Sequence, residues 1–330
     1  MANIVSREIR LKSHPIGMPD ESDFELVEVT IPEPKTGEVL VRNIYMSVDP
    51  YMRGGMRNAK LSKTLEGGCV GQIVKSNSDR FQVGDYVLGM LGWREFYVSP
   101  AKGMTKIDPT IAPIQSFLGT VGMPGRTAYV GLLDIGQPKE GETVFVSAAA
   151  GAVGSIACQI SKIKGCHVVG STGSDQKVNW LLEKARVDVA FNYKQANNLE
   201  DELRQHCPDG IDIYFENVGG EHLEAAISLM NVFGRIILCG MISQYNETAP
   251  QPGPKNLISA IGKRLKLQGF IVSDHTDRVS DFYGDMRQWI NEGMIKWEET
   301  IIEGLENTPQ AFIGLFKGEN MGKMTVKIGP

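Results

Sequence analysis

The chain has 330 residues, 42% of them hydrophobic and 22% charged, which is ordinary for a globular protein large enough to hold two hydrophobic cores. Its net charge of −5 excludes the basic footprint of a nucleic-acid-binding protein, and no apolar run approaches the roughly 20 residues of a membrane span. The five cysteines are scattered without a C-x-x-C pair, which favours reduced thiols and a cytoplasmic location.

Short β-type runs separated by turns fill the first part of the chain. Residues 38–45 alternate apolar and polar side chains as a half-buried strand does. Residues 71–74 and 84–89 are short apolar runs bounded by glycines. We therefore predict a β-rich first domain over residues 1–125.

Strand and helix patterns alternate from residue 126 to residue 294. The predicted strands are 143–146, 166–170, 211–214, 235–239 and 265–272, and the predicted helices are 155–164, 175–184, 197–206, 221–231 and 278–293. This alternation is typical of an α/β fold with a doubly wound parallel sheet, the Rossmann fold. Residues 295–330 return to a mixed pattern, and we predict that they rejoin the first domain.

A run of small residues joins the first predicted strand of this region to the helix that follows it. Ala149, Gly151 and Gly154 occupy the three positions of G-x-G-x-x-G, with alanine in place of the first glycine. At a strand-to-helix turn, small residues let the backbone approach a pyrophosphate at the helix N-terminus, although a purely structural turn has a similar sequence. The residues predicted to hold the pyrophosphate are Ala150, Gly151, Ala152, Val153 and Gly154.

The loop after the second predicted strand indicates which dinucleotide binds. NAD-binding units place an acid there on the ribose 2′-hydroxyl, whereas residues 171–174 read Ser-Thr-Gly-Ser. Ser174 and Lys177 suit a 2′-phosphate, so we predict NADP (NADPH) as the cofactor. Asp175 argues against this prediction, and we interpret it as a first-turn helix acid. The alternative for Lys177 is a solvated surface lysine.

The histidines and cysteines do not form a recognisable metal site. A catalytic zinc takes about three protein ligands. No two histidines have the H-x-x-x-H spacing, and the two Cys/His neighbours, 166–167 and 206–207, point their side chains apart. We predict that no metal takes part.

Taken together, these features resemble the zinc-independent branch of the medium-chain dehydrogenase/reductase superfamily. Within it, the chain resembles the prostaglandin reductases and leukotriene B4 12-hydroxydehydrogenases, with the bacterial curcumin reductases beside them. The segments that carry the resemblance are 47–53, 119–125, 127–129, 148–154, 216–220, 239–246, 269–272 and 318–323. Asp49 stands where zinc-dependent members have a cysteine ligand, and residues 66–68 stand where they have Gly-His-Glu. The resemblance implies a GroES-like catalytic domain for residues 1–125.

The family's main reaction is NADPH-dependent reduction of the carbon–carbon double bond of a small apolar enone or enal. Hydride addition to the β-carbon places negative charge on the carbonyl oxygen, which hydrogen-bond donors stabilise. The predicted donors, and catalytic residues, are Tyr51 and Tyr245. A structural corner is the alternative for Tyr51, and packing against the nicotinamide is the alternative for Tyr245. A hydroxy-lipid dehydrogenase, a quinone reductase and a non-catalytic NADPH-binding protein remain open on the same fold.

The resemblance implies further site residues. Tyr51, Arg53 and Met123 are predicted to contact the substrate, with a salt bridge to a nearby acid as the alternative for Arg53. Tyr193 is predicted to lie at the 2′-phosphate. The other predicted cofactor residues are Asn217, Cys239, Gly240, Ser243, Tyr245, Phe270, Ile271, Val272 and Asn320. Many eukaryotic relatives have a tyrosine about eight residues before the Gly-Phe-Ile-Val segment, where this chain has Gly262. This difference weakens a transfer of eicosanoid specificity but not of general enone reduction.

The last predicted strand of the parallel sheet, 265–272, is expected at a sheet edge. Its alternating apolar residues and weak charge make it a poor free edge. The resemblance implies that such edges pair across a two-fold axis, so we predict a homodimer.

Overall fold

The computed structural model describes residues 4–329, so residues 1–3 of the predicted first domain and residue 330 of the predicted tail lie outside the described residues. The strands are β1 (Ile4–Leu11), β2 (Phe24–Ile31), β3 (Glu38–Ser47), β4 (Cys69–Ser76), β5 (Tyr86–Gly89), β6 (Phe96–Pro100), β7 (Thr105–Lys106), β8 (Thr143–Val146), β9 (His167–Thr172), β10 (Val189–Asn192), β11 (Ile211–Glu216), β12 (Met230–Leu238), β13 (Lys266–Gly269), β14 (Glu299–Glu303) and β15 (Lys323–Lys327). The helices are α1 (Met52–Met56), α2 (Met123–Val130), α3 (Gly154–Ile163), α4 (Asp175–Glu183), α5 (Leu199–His206), α6 (Gly220–Leu229), α7 (Ser259–Lys263), α8 (Val279–Asn291) and α9 (Thr308–Lys317). None of these helices has the length and hydropathy of a membrane span.

The chain divides into two compact units. Of the described residues, 4–118 and 299–329 form the first unit, and Gly119–Glu298 forms the second. These divisions lie close to the predicted boundaries after residues 125 and 294. The first unit is therefore discontinuous in sequence, and the second is continuous.

A seven-stranded sheet forms the core of the first unit. Its order is β14-β15-β3-β4-β5-β7, with β6 also paired to β3, while β1 and β2 form a separate antiparallel pair. The buried Trp93 stacks on Phe24 with ring centroids 5.9 Å apart and meets Phe312 of α9 edge-on at 6.0 Å. The helix from the C-terminal segment therefore completes the hydrophobic core of the β-rich unit.

A buried ion pair holds the C-terminal strand in this sheet. β15 runs antiparallel to β3, and the Lys323 Nζ atom of β15 lies 3.0 Å from Asp49 Oδ1, with both side chains nearly inaccessible to water. The same ammonium donates hydrogen bonds to the carbonyl oxygens of Val48 at 2.7 Å and Met324 at 2.8 Å. Ser47 Oγ donates to the second Asp49 oxygen. Burial lowers the pKa of Lys323, and the Asp49 charge opposes that shift.

The second unit contains the predicted doubly wound parallel sheet. Its six strands lie in the order β10-β9-β8-β11-β12-β13, and every neighbouring pair is parallel. Numbered along the chain this is the 3-2-1-4-5-6 order of dinucleotide-binding folds, with its switch point between β8 and β11. The carboxyl ends of these two strands therefore mark the crevice in which such sheets bind ligands.

The predicted strand 265–272 is too long. β13 lies at the sheet edge as expected, but it ends at Gly269, and Val272 opens a short 3-10 turn instead. The reason is that its only neighbour in the described sheet, β12, ends at Leu238, the partner of Gly269. Beyond that point the Cys239 and Gly240 amides donate to the Glu216 carbonyl oxygen, so no backbone remains alongside to extend the ladder.

We predict that Lys323→Met lowers the free energy of unfolding of the first unit by about 3–5 kcal/mol, because it leaves the Asp49 carboxylate buried without a counter-charge. Pairing it with Asp49→Leu should recover most of the loss, since an apolar pair needs no desolvated charge. Urea unfolding followed by Trp93 fluorescence reports on this unit once the other tryptophans are replaced. A loss below about 1 kcal/mol for the single variant would show that the pair stabilises little.

Candidate cofactor and active site

The turn between β8 and α3 is shaped by its small residues. The Ala149 amide donates to the Ser171 carbonyl oxygen at 2.9 Å, which fixes the turn against β9. A Cβ atom at Gly154 would lie 2.4 Å from the Ala148 carbonyl oxygen, and one at Gly151 would lie 3.2 Å from it. Gly154 is therefore required by close packing of the backbone, and the cradle fits a pyrophosphate.

Alanine is tolerated at the first motif position because of a glycine on the next strand. The Ala149 side chain is completely buried, and a Cβ at Gly170 would lie 2.8 Å from the Ala149 Cβ. Gly170 therefore leaves room for the methyl group that replaces the usual first glycine. No side chain caps the N-terminus of α3 at Val153, so this end of a ten-residue helix can face an anion.

Residues 171–174 were predicted as a loop, but Ser171 and Thr172 are the buried last residues of β9. Ser174 lies after β9, is partly exposed, and accepts a hydrogen bond from the Lys177 amide as the N-cap of α4. Lys177 lies in the first turn of α4 and is half-buried. Burial, with the nearby Lys194 charge, lowers the pKa of its ammonium group. An arriving 2′-phosphate would relieve this repulsion between the two lysines.

Lys194 is a candidate site residue that the sequence interpretation missed. The 3-10 turn Tyr193–Gln195 follows β10, and β10 lies beside β9 with Asn192 opposite Thr172. A Cβ at Gly173 would lie 3.5 Å from both Lys194 Nζ and Tyr193 Cε1. The alternation of strands and helices was the sequence signal that could have identified Lys194. It predicts a parallel sheet, in which the segments that follow two adjacent strands lie at the same edge.

A pocket of ≈ 520 Å³ opens at the carboxyl ends of β12 and β13. Its lining residues are Leu238, Cys239, Gly240, Met241, Gly269, Phe270, Ile271 and Asp274. Four of the predicted cofactor residues are among them, namely Cys239, Gly240, Phe270 and Ile271, whereas the predicted Val272 is buried next to Ile271. Burial raises the pKa of the Cys239 thiol to about 12, so this side chain is neutral at pH 7 and forms part of an apolar wall.

The predicted Asn217 lies at the switch point of the sheet. It follows β11, and its side-chain amide donates to the Ser147 carbonyl oxygen at 2.7 Å, joining the ends of β11 and β8. The buried Glu216 Oε1 accepts from Ser147 Oγ at 3.1 Å and from the amides of Val218 and Gly219 at 2.6 and 2.9 Å. Burial raises the pKa of Glu216. Sequence interpretation had not identified this network, which shapes the backbone around Asn217.

Tyr245 lies beside the pocket. It follows the 3-10 turn Ile242–Gln244, and a Cβ at Gly240 would lie 3.1 Å from its hydroxyl oxygen. Burial raises the pKa of the Tyr245 phenol, which therefore stays protonated and can donate a hydrogen bond. Ser243 Oγ donates to the Val218 carbonyl oxygen at 2.6 Å, so its proton is already used within the protein.

Tyr51 belongs to the first unit and immediately precedes α1. Its side chain is 48% exposed, and its hydroxyl keeps its proton because desolvation and the Asp49 charge raise the pKa of the phenol. Asp49, two residues earlier, carries the ion pair with Lys323. A protonated phenol that reaches solvent has the chemistry of a hydrogen-bond donor to a substrate oxygen.

Two of the three remaining predicted residues, Arg53 and Asn320, donate hydrogen bonds to backbone carbonyl oxygens of the chain. Arg53 is only 2% exposed, and its Nη2 atom donates to the carbonyl oxygens of Pro15 and Gly17 at 2.9 and 3.0 Å. This geometry favours a structural role, and its contact with substrate stays a prediction. Met123 begins α2 and is partly buried, and the Asn320 side chain donates to the Gly322 carbonyl oxygen at 2.8 Å.

Two further features bear on the predicted chemistry. Within residues 4–329, no three or more His, Cys, Asp and Glu side chains are grouped so that they could hold a metal ion. A Cβ at Gly262 in α7 would meet no atom within 4 Å, so packing within the described chain does not require glycine there.

Comparisons with known proteins identify the family. Residues 7–107 match the family described as the N-terminal domain of oxidoreductase, and residues 152–292 match zinc-binding dehydrogenase. The chain is 49% identical to prostaglandin reductase 1 of Bos taurus over 96% of this chain and 97% of that protein. It is 43% identical to the NADP(+)-dependent 2-alkenal reductase of Nicotiana tabacum, over 99% of this chain and 99% of that protein.

A solved structure agrees with these relatives. The crystal structure of CurA from Vibrio vulnificus in complex with NADPH matches with a TM-score of 0.93 and 43% identity, over 98% of this chain and 99% of that chain. The chain belongs to the medium-chain dehydrogenase/reductase family, in its zinc-independent branch, as its motifs had predicted.

Proposed function

We propose that the chain uses NADPH to reduce the carbon–carbon double bond of α,β-unsaturated ketones and aldehydes. The observation that carries this proposal is the near-full-length similarity to a 2-alkenal reductase and a prostaglandin reductase. The apolar pocket beside the protonated Tyr245 phenol supports it, because an enone needs an apolar wall for its carbon skeleton and a donor for its oxygen.

The proposed cofactor contacts divide among three places in the second unit. The backbone between Ala150 and Gly154 would hold the pyrophosphate at the N-terminus of α3. Ser174, Lys177 and Tyr193 would hold the 2′-phosphate, with Lys194 as a second cation. The pocket at the carboxyl ends of β12 and β13 would hold the nicotinamide. When bound, NADPH supplies the hydride.

The protein's contribution is orientation and stabilisation of charge. Either Tyr51 or Tyr245 would donate a hydrogen bond to the substrate carbonyl oxygen, and this bond strengthens as the oxygen gains enolate charge. The pocket wall, from Leu238 to Met241, would exclude water from the β-carbon. Water then protonates the α-carbon to complete the saturated product.

The direct test is NADPH oxidation by the purified chain with enones, enals and quinones, beside NADP reduction with alcohols. Turnover of enones and enals is the expected result. Turnover of quinones alone or of alcohols would instead establish one of the alternative oxidoreductases on this fold. Tight NADPH binding without any turnover would identify a non-catalytic cofactor-binding protein.

We predict that Lys177→Ala shifts cofactor preference toward NADH. Loss of a charged hydrogen bond of roughly 1.5–3 kcal/mol should weaken NADPH binding about 10- to 100-fold, while NADH binding barely changes. Titration of the apoprotein with each cofactor measures the dissociation constants of NADPH and NADH. The matched control is Lys184→Ala, since Lys184 is an exposed lysine just after α4. Equal losses for both cofactors would mean that Lys177 acts structurally.

Tyr51→Phe and Tyr245→Phe each remove only a hydroxyl. If that hydroxyl stabilises the enolate, we predict that its removal lowers kcat and kcat/KM by the same factor. An oxyanion donor is worth around 10²–10³-fold, and we expect about tenfold here because the cofactor ribose hydroxyl and water can substitute. Tyr86→Phe in β5 is the control, and EDTA should leave all rates unchanged. Full activity in both single variants and in the double variant would contradict a tyrosine donor.

We propose a cytoplasmic location, because the five cysteines are free thiols.

We further propose that the chain is a homodimer. Exposed apolar side chains lie on β12, which pairs with the edge strand β13, and on α7 and the residue before it. Phe233, Ile258 and Ile261 are 66%, 72% and 73% exposed. Such a patch beside a short unpaired edge supports association with a second copy.

We predict that light scattering at micromolar concentration gives the mass of a dimer, and that Ile261→Asp gives a monomer because it places a charge in the apolar patch. Ile16→Asp, at an 88% exposed position in the first unit, should leave the dimer intact. A monomeric wild-type chain would contradict the proposal, as would a dimer that Ile261→Asp does not weaken.

A further inference from the structure

Asp175 is the residue of the predicted 2′-phosphate region that favoured NAD over NADP. In the structure its carboxylate instead forms hydrogen bonds within the protein. It is the exposed first residue of α4. Its Oδ1 atom accepts hydrogen bonds from Asn192 Nδ2 at 2.8 Å and from Gln195 Nε2 at 3.0 Å, and its Oδ2 atom accepts from Gln195 Nε2 at 3.1 Å. The carboxylate therefore binds the residues on both sides of Tyr193 and Lys194.

These contacts join two loops that are far apart in sequence. Asn192 ends β10 and Gln195 ends the 3-10 turn, so both ends of the turn are attached to the start of α4. Asn192 Oδ1 also accepts from the Lys194 amide at 3.2 Å, which orients the asparagine so that its Nδ2 faces Asp175. A short exposed turn is thereby held beside the loop that contains Ser174.

His222 supports the same turn from the protein interior. It lies in α6, is 4% exposed, and meets the Tyr193 ring edge-on with centroids 4.8 Å apart and an interplanar angle of 80°. Burial lowers the pKa of His222 to about 4, so the imidazole is neutral at pH 7 and packs as an aromatic ring. Tyr193 is therefore held on its inner side by a ring and at its flanks by the Asp175 contacts.

We propose that Asp175 and His222 are positioning residues that favour NADPH over NADH by holding Tyr193 and Lys194 beside Ser174 and Lys177. This inference rests on the proposed function, because it needs the 2′-phosphate to bind there. A preorganised pair of cationic and phenolic donors loses less freedom when the phosphate binds, which raises affinity for the phosphorylated cofactor alone.

Positioning and simple electrostatics predict opposite results for Asp175→Ala. A carboxylate near a phosphate repels it, so removing only that charge would tighten NADPH binding. If Asp175 instead holds the turn, its removal should weaken NADPH binding about 3- to 10-fold, less than a buried charged hydrogen bond because these contacts are solvent-exposed. NADH binding should change less than about twofold, since NADH lacks the 2′-phosphate.

The experiment titrates the apoprotein with NADPH and with NADH and compares the two dissociation constants. Asp201→Ala removes a first-turn acid from α5 in the same unit and is the matched control, expected to leave the ratio of the constants unchanged. His222→Ala should lower the NADPH preference and His222→Phe should restore it, because phenylalanine keeps a ring under Tyr193.

Tighter NADPH binding in Asp175→Ala would overturn the inference, and so would equal losses for both cofactors or an unchanged ratio. A wild-type chain that binds NADPH no better than NADH would overturn the proposed cofactor and this inference with it. A wild-type preference that persists unchanged in both Asp175→Ala and His222→Ala would overturn this inference alone.

Discussion

The first unit depends on an ion pair between residues 274 positions apart, Asp49 and Lys323. Burying two charges is costly, and the cost is offset here because the ammonium has three oxygen acceptors and the carboxylate has a second donor in Ser47. The pair fixes β15 against β3 and places a negative charge two residues before Tyr51. Where zinc-dependent relatives carry a metal ligand, this chain has an internally neutralised carboxylate next to a protonated phenol.

The second unit depends on a different constraint, the close approach of backbone segments at the switch point of its sheet. Gly154 admits no side chain, and Gly170 on the neighbouring strand makes room for the methyl group of Ala149. The Ser147–Glu216 network then sets the backbone at the end of β11, where the Glu216 carbonyl oxygen accepts hydrogen bonds from the Cys239 and Gly240 amides. The cofactor cradle is thus built mainly from backbone positions, with few charged side chains.

Patterns local in sequence predicted most of this fold. Alternation predicted β3, and the strand–helix order predicted the parallel sheet, because period and length determine an element without knowledge of its neighbours. Strand 265–272 was predicted too long since its end is set by where β12 ends. Lys194 and the contacts of Asp175 were missed for the same reason: they depend on which strands are adjacent. The buried guanidinium of Arg53, on two backbone carbonyls, likewise had no local signature.

The discontinuity of the first unit has a consequence for synthesis on the ribosome. All strands of the parallel sheet emerge before Glu299, so the second unit can fold while the first still lacks β14, β15 and α9. At about 5–20 residues per second, Lys323 is synthesised tens of seconds after Asp49. Throughout that interval β3 exposes the backbone edge that β15 later covers, so this nascent edge is where chaperones would be most needed.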